Sequence, residues 1–393
     1  MKQIRHRTGA VTEMEQTTAK KNKYEIDMCN GTIMDKLISF SLPLMLSGIL
    51  QLMFNAVDII VVGRFSGSQA LAAVGSTSAL INVFTNLFIG ISLGANVLTA
   101  RFYAAGREKE VSETVHTAIT LALVSGIVMA LVGLVFSKGA LALMGTPDDV
   151  IGRSTLYMRI YFLGMPFFML YNYGAAILRA VGDTKRPLLF LMIAGVINAC
   201  LNMVLVIVFK LGVAGVAIAT VISQMISCVL VLRCLCRSES SYRLRFSELG
   251  MKGYYLKQIF SVGVPAGIQS TVINFSNVLL QSSVNSFGST AMAGYTAANN
   301  LLGFLYVSVN SITQACMSFT SQNYGVGKLK RMDRVLADCM ILSVVVAVVL
   351  GCICYGFGPE ILQIYTEDAE VIACGMEILA YTTITYFLCG WMD

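Results

Sequence analysis

Ten apolar runs, each long enough to cross a bilayer as a helix, recur along this chain of 393 residues. They fall at about residues 38–63, 77–100, 114–137, 156–178, 188–209, 213–235, 259–286, 293–322, 335–357 and 371–392. About 20 apolar residues in a helix span the ~30 Å hydrocarbon layer. Inside that layer backbone groups find no water, so each run must satisfy its own hydrogen bonds as a helix. The expected fold is therefore an all-α polytopic membrane protein. Composition agrees: charged residues make up 13% and mean hydropathy is +0.72, against roughly 25% charged in soluble domains. The net charge of +6 does not point to nucleic acid, because the charges sit in short segments between apolar runs.

Those segments also set orientation. Residues 1–36, 101–113, 179–187, 233–258 and 323–334 hold every Lys and Arg except Arg64, Lys138, Arg153, Arg159 and Lys210. Basic loops stay in the cytoplasm, so a cytoplasmic N-terminus and a multi-pass place in the cytoplasmic (inner) membrane are expected. The alternation holds only if ten spans are counted. Residues 1–36 lack the short apolar core of a signal peptide and are expected to be a flexible cytoplasmic tail. The cysteines lie mostly in apolar runs, where they act as small hydrophobes, and Cys234 and Cys236 do not make a CxxC pair.

The chain repeats itself at a lag of about 221–222 residues. Pro43, Asn55, Tyr103 and Gly106 recur as Pro265, Asn277, Tyr324 and Gly327. Six spans separate the copies, so both face the same way and form parallel repeats. The second copy stops at Asp393, which matches Asn172 in the fourth span. The expected plan is two six-helix repeats, twelve helices with about ten present, truncated before the last two. The expected segments are a tail at 1–36, a first six-helix lobe at 37–236, a Ser-rich flexible linker at 237–257 and an incomplete second lobe at 258–393.

The first span carries a polar stripe. Ser47, Gln51, Asn55 and Asp58 share one helix face, and the opposite face is Leu, Met, Ile and Val. A charge at bilayer depth costs at least ~2.5–3.5 kcal/mol on insertion scales, so it rarely lacks a function. Asn198 and Asn202 share a face of the fifth span, and Thr220 and Gln224 share one on the sixth. Hard oxygens beside one carboxylate suit Na+; they equally suit a carboxyl group that takes up and releases a proton. In the second half Leu280 stands where Asp58 would recur, within a stripe of Ser270, Asn274, Asn277 and Gln281. Asn299, Asn310 and Gln314 add polar groups on the eighth span. With Tyr171 and Asn172 in the fourth span, and Asp393 at the end of the tenth, these are candidate cavity residues. Tyr157, Tyr161, Tyr171 and Tyr173 are more simply packing residues, although aromatic faces also stack on flat cations. Pro43 and Pro265 remove a helical hydrogen bond at matching places and are candidate hinges.

After the fourth span comes ILRAVGDTKRP, Ile177 to Pro187, a tight basic turn whose cations are topogenic. This turn, the stretch SLPLMLSGILQLMFNAVDIIVVGRFSG with the following ALAAVG, and the segment TARFYAAGREKE resemble the multidrug and toxic compound extrusion (MATE) family. The likeness covers about residues 30–393. The resemblance implies two six-helix lobes around a central cavity, alternating access, and export of organic, often cationic, compounds in exchange for Na+ or H+. In the family's cation site a first-helix Asp is joined by an Asn and an Asp on the fifth helix. Asp58 matches the first and Asn202 the second, but the other Asp position is Val206 here. Thr220 matches a sixth-helix Thr that contributes in some members.

The expectation is thus a secondary transporter with Asp58, Asn202, Asn198 and Thr220 as coupling-ion residues and no cofactor. Its substrate cavity is expected to include Gln51, Asn55, Tyr171, Asn172, Asn274, Asn277, Gln281 and Asp393. No metal site is expected beyond Na+ at Asp58. The expected partners are a small organic substrate and the lipid bilayer, without nucleic acid, and the chain is expected to be a monomer. A lipid-linked oligosaccharide flippase of the same superfamily is the alternative, but a pyrophosphate head group asks for cations in the cavity, and nearly all lie at span ends. An enzyme is disfavoured: of the two histidines His6 lies in the tail and His116 near a helix start, no HExxH is present, and no paired intramembrane carboxylates occur.

Overall fold

The computed structural model describes residues 24–285, 287, 289–363 and 368–388. A helix lies in each of the ten expected runs. They are α1 (Met34–Ser66), α2 (Ser68–Ala104), α3 (Glu108–Leu143), α4 (Asp148–Leu163), α5 (Met165–Ala180), α6 (Lys185–Asn202), α7 (Gly212–Arg237), α8 (Gly253–Asn285), α9 (Ser289–Gly325), α10 (Leu329–Gly356), α11 (Gly358–Gln363) and α12 (Ala369–Thr385). Six are long and apolar enough to cross a membrane alone, and α4 with α5 make a seventh. That pair departs from the single fourth span expected: it bends by 47° at Gly164, two residues before Pro166, which lacks the N–H needed to continue the helix. The fifth span also changes register, since α6 runs into a π-turn at Met203–Val208. α8 and α9 are long enough to span, but their Ser, Asn and Gln stripes lower their hydropathy.

The repeat is visible in the backbone. α1 and α8 have 33 residues each, and α2 and α9 have 37 each. Both α2 and α9 end in the same turn: Gly106 (φ 67°) donates its N–H to Tyr103 O at 3.1 Å, and Gly327 (φ 72°) donates to Tyr324 O at 3.1 Å. A left-handed residue closes the helix there, which only glycine adopts freely. The fold is all-α, two parallel repeats packed side by side.

The halves meet through small residues. Gly90 and Gly94 on α2 face Gly263 and Gly267 on α8, a GxxxG pair on each side. A Cβ at Gly90 would strike the Gly267 backbone, and one at Gly94 would strike Ile259 O and Gly263 N. Such close backbone approach gains dispersion contacts that lipid chains cannot replace. Further along, Asn96 Oδ1 accepts from Ser318 Oγ at 3.2 Å, and Gln322 Nε2 donates to Ala180 O at 2.7 Å. The Arg101 guanidinium lies 4.8 Å over the Tyr324 ring. All these contacts fall on the part of the bundle nearer the basic loops.

Parts of two segments expected to be flexible are packed, residues 1–23 of the tail lying outside the described residues. Of the tail, residues 24–33 lie against both halves, with Met28 fully buried among Phe40, Ile312, Phe319 and Val335. Met28 and Ile26 are the apolar residues that anchor it, and α1 begins at Met34 rather than at 37. The Ser-rich linker docks on α3: Tyr242 and Leu244 are buried, and the Arg245 N–H donates to His116 Nε2 at 3.0 Å. Because Nε2 accepts, the ring carries its proton on Nδ1, 2.6 Å from Ser112 O. His116 is thus a structural clasp.

The GDTKRP turn is also a brace. Asp183 is fully buried, and its Oδ1 accepts the Arg186 N–H at 3.1 Å while Oδ2 pairs with the Arg186 guanidinium. Removing one partner of a buried pair leaves the other charge uncompensated. Asp183→Ala should therefore cost about 3–5 kcal/mol, read as a fall in Tm of the purified protein in detergent, with Asp183→Asn intermediate. Gly94→Val, which drives a side chain into the α8 backbone, should cost about 1–3 kcal/mol by the same assay.

Candidate cation and substrate site

Asp58 lies on α1 where the polar stripe meets α6 and α7, 8% exposed. A closed ring of side chains holds it. Asn202 Nδ2 donates to Asp58 Oδ1 and, at 3.1 Å, to Asn198 Oδ1. Asn198 Nδ2 lies 3.5 Å from Thr220 Oγ1, which in turn lies 3.4 Å from Asp58 Oδ2. The helical spacing of Asn198 and Asn202, one turn apart, aims both amides at α1. The four residues grouped from the sequence as cation-coupling candidates therefore touch one another.

The ring is not satisfied from within. Thr220 has one hydroxyl proton, and its shorter contact is to Val216 O at 2.9 Å, which leaves Asp58 Oδ2 poorly served. Asn202 has spent both amide protons, and its Oδ1 is buried without a partner among the described residues. Two buried oxygens short of a positive partner, on residues that bond each other, favour a cation or a proton on Asp58. Val206, one turn beyond Asn202, is 3% exposed and supplies no ligand. Among the described residues no three His, Cys, Asp or Glu side chains gather as a metal site. The donor set suits a monovalent charge.

Asp58 opens onto a cavity of about 330 Å³ within the first half. Gln51 and Asn55 line it from α1, Tyr171 and Asn172 from α5, and Asn198 and Thr220 from α6 and α7. Tyr157 and Tyr161 face it from α4 with rings stacked 6.1 Å apart at 28°. Tyr171 and Asn172 are partly committed, donating to Pro187 O at 3.2 Å and Phe168 O at 2.8 Å. Tyr173 is buried in the core and does not line it.

Of the second-half residues expected in the substrate cavity, only Asn277 has a described side chain, and it does not line this cavity. Asn277 is exposed and sits ten residues past Gly267, about 15 Å further along α8 than the glycine contact. Asn310 and Gln314 bond each other at 2.9 Å. The side chains of Asn274 and Gln281 lie outside the described ones, and Asp393 lies outside the described residues. Among the lining residues unread in the sequence are Asn82, Thr85 and Asn86 on α2 and Ser223 and Ser227 on α7. The four-residue spacing of Asn82 and Asn86 was the signal on α2. Pro43 and Pro265 both lie inside unbroken helices, and Ser47 Oγ donates to Pro43 O at 2.8 Å.

The MatE family model matches residues 43–204 and 265–391, two stretches that begin at the paired prolines of the repeat. This chain belongs to the MATE family. Among MATE relatives, "Probable multidrug resistance protein YoeA" of Bacillus subtilis is 33% identical over 360 residues, covering 89% of this chain and 77% of the relative. "Multidrug export protein MepA" of Staphylococcus aureus is 22% identical over 358 residues, covering 90% and 78%. A solved outward-facing multidrug resistance MATE transporter of the MOP superfamily superposes with TM-score 0.88 at 20% identity, covering 95% of this chain and 83% of that one. The chain is a membrane transporter of the MATE family and not an enzyme.

The ring predicts unequal costs. Asn202→Leu strips donors from Asp58 and Asn198 together and should destabilise by about 1–3 kcal/mol. Thr220→Val removes the two long contacts to Asp58 and Asn198 and a local bond to Val216 O, and should cost about 1 kcal/mol, near the scale of membrane side-chain hydrogen bonds. Thermal unfolding of the two purified variants checks the order.

Proposed function

We propose that this protein exports organic compounds, cationic ones among them, across the cytoplasmic membrane in exchange for Na+ or H+, with Asp58 as the coupling group. The observation that carries the reading is the buried ring around Asp58, with oxygens short of a positive partner at the wall of a cavity. Membrane side-chain hydrogen bonds average only ~0.6 kcal/mol each, too little to offset the ~2.5–3.5 kcal/mol of placing the carboxylate at that depth. A structural role alone does not account for it.

The basic loops are assigned to the cytoplasm by their charge, which puts the N-terminus inside. On that assignment the packed glycines and the Asn96, Gln322 and Arg101 contacts close the cytoplasmic side. Alternating access then requires the halves to part there, with α1 and α8 flexing at Pro43 and Pro265 where a backbone hydrogen bond is missing. The stacked Tyr157 and Tyr161 give an aromatic face beside a negative charge, which favours flat organic cations. A lipid-linked pyrophosphate is a poorer fit, since no Lys or Arg is among the lining residues. Nothing in this reading calls for a second copy of the chain.

Inverted membrane vesicles carrying the protein should accumulate a fluorescent organic cation when a Na+ or H+ gradient is imposed, and Asp58→Asn should reduce uptake to that of vesicles without the protein. Varying Na+ at fixed pH assigns the ion. Equal gradient-driven transport by wild type and Asp58→Asn would end the coupling claim.

A further inference from the structure

The stretch Tyr24–Ile33, ahead of α1, joins the two halves at the basic end. On the first half, both Glu25 oxygens accept phenol protons, Oε2 from Tyr103 at the end of α2 at 2.7 Å and Oε1 from Tyr242 in the linker at 2.8 Å. Burial raises the pKa of both phenols, and the Glu25 charge adds to it, so they stay donors. The Ile26 N–H donates to Gly182 O at 3.3 Å, and a Cβ at Gly182 would meet Ile26 O at 2.6 Å. On the second half the grip is mainly on backbone carbonyls. Asn323 Nδ2 donates to Met28 O at 3.2 Å, Lys328 Nζ to Cys29 O at 3.0 Å, and the Arg331 guanidinium to Asn30 O and Gly31 O at 3.1 and 2.9 Å. Met28 plugs the apolar cluster between α1, α9 and α10.

Resting on the alternating-access reading above, we propose that Tyr24–Ile33 is a latch of the inner gate: it rides with the first half, grips α9 and α10 through Met28–Gly31, and releases them when the cytoplasmic side opens. The direction of release follows from the covalent chain. The stretch runs directly into α1 at Met34, so it cannot leave the first half by more than a few ångströms. The second-half contacts must therefore break. They are suited to that, because most end on main-chain oxygens that water can serve once exposed, the side-chain exceptions being Lys328 Nζ to Asn30 Oδ1 at 2.9 Å and Cys29 Sγ to Gln322 Oε1 at 3.8 Å, whereas the Glu25 charge keeps its two phenols. Lys36 Nζ, 2.7 Å from Asp27 O and 2.6 Å from Asn30 O, keeps the strap's shape from the α1 side.

Cys29 supplies the test, since its Sγ lies 3.8 Å from Gln322 Oε1 on α9. Gln322→Cys in the full chain places a second thiol opposite it, and copper phenanthroline oxidises the pair after purification, so the reduced sample is its own folding control. Labels at the exposed residues Lys185 and Lys330, one on each half, report the width of the cytoplasmic mouth by pulsed electron paramagnetic resonance without reference to transport. The reduced protein should show a long-distance population that appears or shrinks with substrate and cation, and the cross-linked protein should show none; dithiothreitol should restore it, and Cys29→Ser should prevent the locking. In a second variant, Lys328→Ala with Arg331→Ala, the long-distance population should rise several-fold. A cross-linked mouth that opens as freely as the reduced one, or an unchanged distribution in the double variant, overturns the latch. A wild-type pair that never separates under any condition removes the alternating-access reading itself, and the latch with it.

Discussion

A carboxylate inside a membrane bundle, balanced by neutral groups alone, is the constraint on which the rest of the structure depends. Among the described residues no Lys or Arg lies against Asp58, whose oxygens accept from the amide of Asn202 and the shared hydroxyl of Thr220. Every neighbour is arranged to face it: α6 turns two asparagines inward and α7 brings its threonine. The π-turn at Met203–Val208 begins immediately after Asn202, and such turns break the regular hydrogen-bond ladder where a helix must present particular side chains. The bundle thereby holds one charge in a place where a monovalent cation or a proton is the natural complement.

That ring matters for transport only if the cavity beside it can face one side of the membrane at a time. The two halves provide the means: their closest approach, between α2 and α8, is made by glycine backbones, flanked by the Phe102–Tyr255 and Phe40–Phe319 ring contacts. Glycine seams pack closely yet present no deep knobs to unthread, so two rigid bundles can separate along them. Polar contacts near the same end, from Asn96, Gln322 and Arg101, add direction to the closure beside the apolar cluster that α1 shares with α9 and α10. The core of the first half is continuous from α1 to the start of α8, while the second half has its own smaller cluster.

Much of this was legible in the sequence. Apolar run length located the helices, and charge alternation grouped the loops. The lag of the repeat anticipated equal lengths for α1 and α8 and the twin turns at Gly106 and Gly327. The stripe on the first span and the Asn198–Asn202 spacing named residues that touch. What was missed has physical causes. Run length is blind to the Gly164 and Pro166 break, since both residues fit within an apolar average. The GISLG and GVPAG pairs were readable as small-residue seams but were masked by the apolar residues around them. The ends of the polar segments folded because a few apolar residues, Met28, Tyr242 and Leu244, anchor them against the helices, and composition averages over such anchors. Asn277 shares its helical spacing with α1's stripe, but spacing sets a face and not how far along the helix the cavity reaches.

The most direct test of the central claim is whether binding at the cavity displaces a cation from Asp58. Adding an organic cation to the purified protein in weakly buffered detergent, while recording proton release and, separately, release of radioactive sodium, reads this without a membrane gradient. The account predicts release of one of the two ions on substrate addition, lost in Asp58→Asn. Substrate binding by the wild type with neither ion released, or the same release from Asp58→Asn, would contradict it.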